Sequence, residues 1–151
     1  GANDVYFLPY LMGERSPHND PASRGAFVGL RMDTPRAALT QAVLEGVAFA
    51  IRDCVEIARA QGVKIKVSTL CGGGAKNKLW LKIMASVLNI ALEIPDSEQG
   101  GALGAALLAM NKPETAKRFY KTGEIVKPDK ALAEYYNKKY RDFTDLQNKI
   151  L

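Results

Sequence analysis

Lys64-Ile65-Lys66-Val67-Ser68-Thr69-Leu70-Cys71-Gly72-Gly73-Gly74-Ala75-Lys76-Asn77 is the stretch that decides the fold. Ile65, Val67, Thr69 and Cys71 alternate with Lys66, Ser68 and Leu70, the period of two of a strand. From Lys76 to Leu88 the stripe Leu79, Trp80, Ile83, Met84, Val87 and Leu88 predicts a helix. Between them, Gly72, Gly73 and Gly74 let the chain turn tightly with no Cβ in the way. They also let a ligand approach the main chain. A helix starting there aims free N–H groups and the positive end of its dipole at the bend, so an anion such as a nucleotide phosphate is a natural occupant. Asn77 can add a side-chain amide to the same ligand. The motif is neither a Walker A loop nor GxGxxG. On local chemistry alone, a tight turn without ligand and a binding loop fit it equally.

Downstream, Ile90 to Ile94 reads as a short strand ended by Pro95, and Gly101 to Met110 as a helix of small residues. Gly101 and Gly104 keep one face of that helix thin, for close packing against a neighbour or for space beside a ligand. A last helix starts near Asp129, with Leu132, Tyr136, Tyr140, Phe143, Leu146 and Ile150 as its apolar stripe.

Upstream, Val5 to Leu11 and Gly25 to Leu30 read as short strands. The polar loop Gly13-Glu14-Arg15-Ser16-Pro17-His18-Asn19-Asp20-Pro21 lies between them. Ion pairs such as Glu14 with Arg15, or Asp20 with Arg24, would hold it, or it would contact substrate directly. Thr34 as N-cap and Pro35 at the first helical position predict a helix that runs to about Gln61 and stops at Gly62. Its face is Leu39, Val43, Val47, Ile51, Val55 and Ala58; Ala42, Phe49 and Ala50 widen the apolar arc, so cover on more than one side is expected, and Arg52 and Glu56 pair on the wet side. Gly46 in its interior costs about 1 kcal/mol relative to Ala, which a close backbone approach by another element would offset. Strands alternating with helices give an α/β domain.

The composition is that of an ordinary folded domain, with 47% hydrophobic and 25% charged residues. The net charge of +5 concentrates at the end: residues 112–151 hold 10 basic and 6 acidic side chains. Acids interleave with those bases, which favours a solvated helix face over nucleic-acid binding. No apolar run approaches the ~18 residues of a membrane span. Cys54 and Cys71 are too few for a disulfide scaffold or a closed zinc site and are expected as buried free thiols of a reducing, cytoplasmic compartment. His18 is the only histidine, so histidine-based catalysis has a single candidate. The chain begins at Gly1 without Met, and a piece of a longer protein is expected.

Taken together, five segments are far more specific than any one: Leu8 to Pro21, Arg24 to Leu30, Leu44 to Phe49, Gly72 to Asn77, and Gly101 to Ala106. In this order they resemble the carboxy-terminal domain of sugar kinases of the FGGY family. The resemblance covers roughly residues 5–110. It implies an actin-like ATPase (ribonuclease H-like) fold, in which residues 1–151 are the nucleotide-binding half and a sugar-binding amino-terminal domain lies elsewhere. It implies transfer of the ATP γ-phosphoryl group to a sugar hydroxyl with Mg²⁺. The loop at residues 13–21 is most like that of members acting on D-xylulose, with gluconate, glycerol or ribulose kinases, or a non-catalytic nucleotide-binding module, as alternatives.

By the same resemblance, the adenosine-binding loop falls on Gly72, Gly73, Gly74 and Ala75. Gly73 and Asn77 stand where related kinases contact nucleotide, and the helix carrying Gly101 and Gly104 lines the same side. The catalytic aspartate and the magnesium-linked aspartate are expected in the other domain, so this chain alone is expected to be inactive. The expected partners are ATP or ADP and, through the other domain, the sugar; nucleic acid and membrane are not expected, and a homodimer stays open. Asn89 stands where a glycine is usual, and Asn tolerates the left-handed cap. Cys71 replaces an aliphatic residue.

Overall fold

The computed structural model describes residues 4–96, 100–111 and 121–150. Strand β1 (Tyr6–Leu8) pairs antiparallel with β2 (Ala26–Val28), Phe7 opposite Phe27. Helix α1 (Arg36–Ala60) follows, then β3 (Val67–Thr69), a 3₁₀ turn at Gly73–Lys76, and α2 (Lys78–Leu88). Strand β4 (Ala91–Pro95) lies parallel to β3, with Val67 opposite Ala91, and α2 is the crossover between them. Helix α3 (Gly100–Ala109) precedes β5 (Thr122–Val126), which closes the second sheet antiparallel to β4, and α4 (Lys130–Ile150) ends the fold. The α/β expectation holds. Strand β5 is an element that the sequence reading did not predict: Gly123 interrupts it and Thr122 to Ile125 are exposed, so it shows no apolar alternation.

The core forms where α1, α2 and α4 meet β1 and β4. Leu8, Phe49, Leu81, Met84, Leu92 and Phe143 are essentially fully buried there. Gly46 explains how α1 comes so close: a methyl group at this position would overlap the Phe7 carbonyl of β1. This is the close approach that its helix-interior glycine called for.

The buried face of α1 is rotated from the predicted stripe toward the Ala42 and Phe49 side of the widened arc. Ala38, Ala42, Ala48 and Phe49 are buried together with Glu45, Arg52 and Asp53, whereas Ile51 is exposed. The apolar stripe misleads because the small residues permit the close contact and α4 supplies partners for the polar ones. The Arg52–Glu56 pair exists, Nε to Oε1 at 3.0 Å, but it is not on a wet side. The Arg52 guanidinium stacks 4.3 Å over the Tyr140 ring and donates to Asn137 Oδ1 at 2.7 Å.

The start of α1 also differs. Pro35 is its N-cap, and Thr34 Oγ1 instead accepts from the Arg31 N–H at 2.8 Å, closing the preceding turn. The end is as expected: Gly62 takes φ +85° and Val63 N–H returns to the Ala58 carbonyl at 3.0 Å. Asn89 ends α2 at φ +52°, ψ +46°, the left-handed cap. Both cysteines are exposed rather than buried. Among the described residues no helix is long and apolar enough to cross a membrane.

Candidate functional site

Strand β3 stays paired to its last residue and beyond, since Leu70 N–H donates to the Glu93 carbonyl at 3.0 Å. The chain then leaves the sheet at Gly72, whose φ of +90° disfavours any residue with a Cβ. It coils into the 3₁₀ turn, closed by Ala75 N–H on the Gly72 carbonyl and Asn77 N–H on the Gly74 carbonyl, both at 3.1 Å.

This bend borders a cleft of about 300 Å³. Gly72, Gly73, Ala75 and Lys76 form one wall, and Ile94 and Pro95 at the end of β4 form the other. Leu70 and Cys71 also line it. The cleft therefore sits at the carboxyl ends of two adjacent parallel strands, where open α/β sheets bind ligands. Among the described residues, nothing lies within 4 Å of where the Cβ atoms of Gly72 and Gly73 would stand.

The other predicted site residues are placed differently. Gly74 turns away from the cleft, and a methyl group there would overlap the six-membered ring of Trp80. Asn77 is the N-cap of α2; its Oδ1 accepts from the Trp80 backbone N–H at 3.1 Å. Its side-chain oxygen is thus committed to the helix start. Gly101 and Gly104 lie on α3 and do not line the cleft, and among the described residues nothing lies within 4 Å of their Cβ positions. Helix α3 is largely exposed, with Leu108 82% exposed. Of the stretch Glu98 to Ala105, Glu98 and Gln99 lie outside the described residues.

The polar loop is held by carboxylates bound to backbone N–H groups and a serine hydroxyl; neither expected ion pair is seen among the described residues. Glu14 Oε2 accepts from the N–H groups of His18 (2.6 Å) and Asn19 (2.9 Å). Asp20 accepts from Ala22 N–H and Ser23 Oγ, and Arg24 donates to the carbonyls of Pro21 and Ser23.

A second concavity, about 340 Å³, lies where this loop meets α1 and α4. There Asp53 Oδ2 faces His18 Nε2 at 3.5 Å, and the Tyr140 hydroxyl donates to Asp53 Oδ1 at 2.6 Å. The Gln147 amide nitrogen meets the same His18 nitrogen. Burial pushes the Asp53 carboxyl above its ordinary value, against the bonds from Tyr140 and His18. Burial and the Asp53 contact likewise push the Tyr140 hydroxyl up. Asp53 and Gln147 were not singled out from sequence, and Tyr140 was read only as part of the apolar stripe of the last helix; an acid next to Arg52 among several polar residues of α1 gives no distinct signal.

The family model for the C-terminal domain of the FGGY family of carbohydrate kinases matches residues 1–112. A xylulose kinase of Staphylococcus xylosus is 41% identical over 109 residues, covering 72% of this chain and 23% of that protein. A crystal structure described as a "xyloylose kinase" from Brucella ovis superposes with TM-score 0.83 at 42% identity, covering 94% of this chain and 31% of that one. A gluconate kinase from Lactobacillus acidophilus gives TM-score 0.86 at 26% identity, covering 99% of this chain and 31% of that one. The chain spans less than a third of the length of these relatives. With the fold shared along nearly its whole length and the family match over residues 1–112, the chain belongs to the FGGY family of carbohydrate kinases and corresponds to their C-terminal domain.

Proposed function

We propose that residues 1–151 are the nucleotide-binding part of an ATP-dependent sugar kinase that phosphorylates D-xylulose to D-xylulose 5-phosphate, and that the sugar-binding part lies outside this sequence. The observation that carries the reading is the open glycine bend at the carboxyl ends of β3 and β4. The apolar side chains of Leu70, Ala75, Ile94 and Pro95 suit a flat base. Gly72 and Gly73 leave the main chain open to the sugar and phosphates.

In this scheme the chain binds and orients the nucleotide. Phosphoryl transfer depends mostly on such positioning and on charge stabilisation. Mg²⁺, when bound with the nucleotide, neutralises phosphate charge. Among the described residues no three His, Cys, Asp or Glu side chains converge on a metal position. That absence does not bear on Mg²⁺ held mainly by phosphates with one or two carboxylates; it is the family resemblance that assigns the metal's protein contacts, like the base that accepts the hydroxyl proton, to the other domain.

Titrating ADP into the isotope-labelled chain tests the nucleotide seat. Amide signals of residues 70–76, 94 and the Asn77 cap should shift together. Shifts confined to the concavity around Asp53, or none, would refute it. A coupled assay with ATP, Mg²⁺ and D-xylulose on these 151 residues should show no turnover, and clear turnover would place the base within them.

A kinase for gluconate, ribulose or glycerol is the second reading, favoured by the likeness to the gluconate kinase. In the complete protein, kcat/KM for D-xylulose should exceed that for the other acceptors. A nucleotide seat with no acceptor phosphorylated by that protein would favour a non-catalytic module.

A further inference from the structure

Trp80 is the chain's single tryptophan, and three contacts fix it. Its six-membered ring stands where a side chain on Gly74 would be. Its indole Nε1–H donates to the Leu44 carbonyl of α1 at 3.3 Å. Its backbone N–H is held by the Asn77 cap. One face of the bend is therefore the cleft, and the other is the indole.

We infer that Trp80 positions the glycine bend for nucleotide and couples the occupied cleft to α1. This rests on the nucleotide reading of the same cleft. The 3₁₀ turn is only four residues long, and hydrogen bonds of this type have poorer geometry than those of an α-helix. Without a rigid backing, Gly72 to Gly74 would sample many backbone states, and a ligand would bear the cost of ordering them. The planar ring, tethered at its far edge, removes that freedom beforehand. The same tether means that a ligand pressing on the bend shifts the Leu44 end of the indole bond.

Two measurements on the 151-residue chain test this with ADP as the probe. In wild type the single indole N–H signal should shift during an ADP titration, with the same dissociation constant as the Gly72 and Gly73 amides. Trp80→Phe keeps a ring but removes the Nε1–H bond, and should weaken ADP binding about fivefold. Phe143→Leu, in the core on α4, serves as a control for stability loss and should leave ADP affinity unchanged. Trp80 is only a packing residue if Trp80→Phe binds ADP as wild type does, if Phe143→Leu weakens binding equally, or if the indole signal stays still while the glycine amides move. Should the glycine amides of wild type themselves fail to respond, the nucleotide reading falls and this role falls with it.

Discussion

The Tyr140 hydroxyl donates to Asp53 Oδ1 at 2.6 Å, joining α4 to α1 across 87 positions of sequence. The same α1 face receives the Tyr136 hydroxyl on Glu45 Oε1 at 3.1 Å. Two buried carboxylates on α1 thus each accept a hydrogen bond from a phenol, the two phenols lying one helical turn apart on α4, while Asp53 Oδ2 has no hydrogen-bond partner among the described residues. A partnered carboxylate can sit inside where an unpartnered one would be costly. Tyr140→Phe removes the donor and leaves Oδ1 buried without it. Urea unfolding should show a loss of about 1–3 kcal/mol. A loss near zero would mean that water replaces the phenol.

Asp53 also gives a pH dependence with a definite sign. Burial holds its carboxyl above the ordinary 3.8, despite the bonds from Tyr140 and His18. The folded chain therefore binds this proton more tightly than the unfolded chain. Its contribution to stability is full below 3.8 and is lost as pH rises through the raised value. Asp53→Asn keeps an acceptor for Tyr140 and does not titrate. Unfolding free energies between about pH 4 and about pH 7 should show wild type falling relative to Asp53→Asn. A constant difference would contradict the raised value.

These buried polar ties are the part of the fold that the sequence conceals. The helix ends at Gly62 and Asn89 were legible, because a left-handed cap has a small set of residue types. The strand–glycine–helix order was legible for the same kind of reason. The orientation of α1 was not. Its stripe from Leu39 to Ala58 marked one side of the arc, whereas close approach to β1 at Gly46 buries the side with the smaller residues Ala38 and Ala42. At the cleft, three adjacent glycines look alike in sequence, yet Gly73 faces open space and Gly74 faces Trp80. Only the tertiary position of the indole separates them. Asn77 is similar: cap and ligand roles need the same amide, and the Trp80 N–H takes its oxygen.

Gly46 offers a test in which two local rules oppose each other. Helix propensity alone makes Gly46→Ala stabilising by about 1 kcal/mol. The added methyl would overlap the Phe7 carbonyl, so α1 and β1 must separate. Overpacking of this kind costs about 1–3 kcal/mol, and backbone is less able to yield than a side chain. We expect net destabilisation, seen as a lower urea midpoint. A higher midpoint would show that the two elements have room to move apart.

Asn77 can be assigned to the cap or to the ligand by comparing two substitutions. Asn77→Asp retains an N-cap acceptor, whereas Asn77→Ala loses it. The alanine variant should lose about 1 kcal/mol of stability and the aspartate variant much less. ADP affinity should follow stability only weakly in both. A large loss of ADP binding in a fully folded Asn77→Asp chain would return the amide nitrogen to the ligand.

The exposed thiols test the cleft without any substitution. Cys54 and Cys71 are both exposed, so both should react with a thiol reagent in the folded chain. They differ in place. Cys71 lines the cleft, whereas Cys54 lies on α1 with its Sγ 3.5 Å from the Ser16 carbonyl of the polar loop. A nucleotide in the cleft should cover Cys71 and leave Cys54 open. With saturating ADP, the labelling rate should therefore fall at Cys71 alone, as read by mass spectrometry of the two peptides. Equal protection of both would point to a global change in the chain, and protection of Cys54 alone would move the ligand to the concavity beside Asp53.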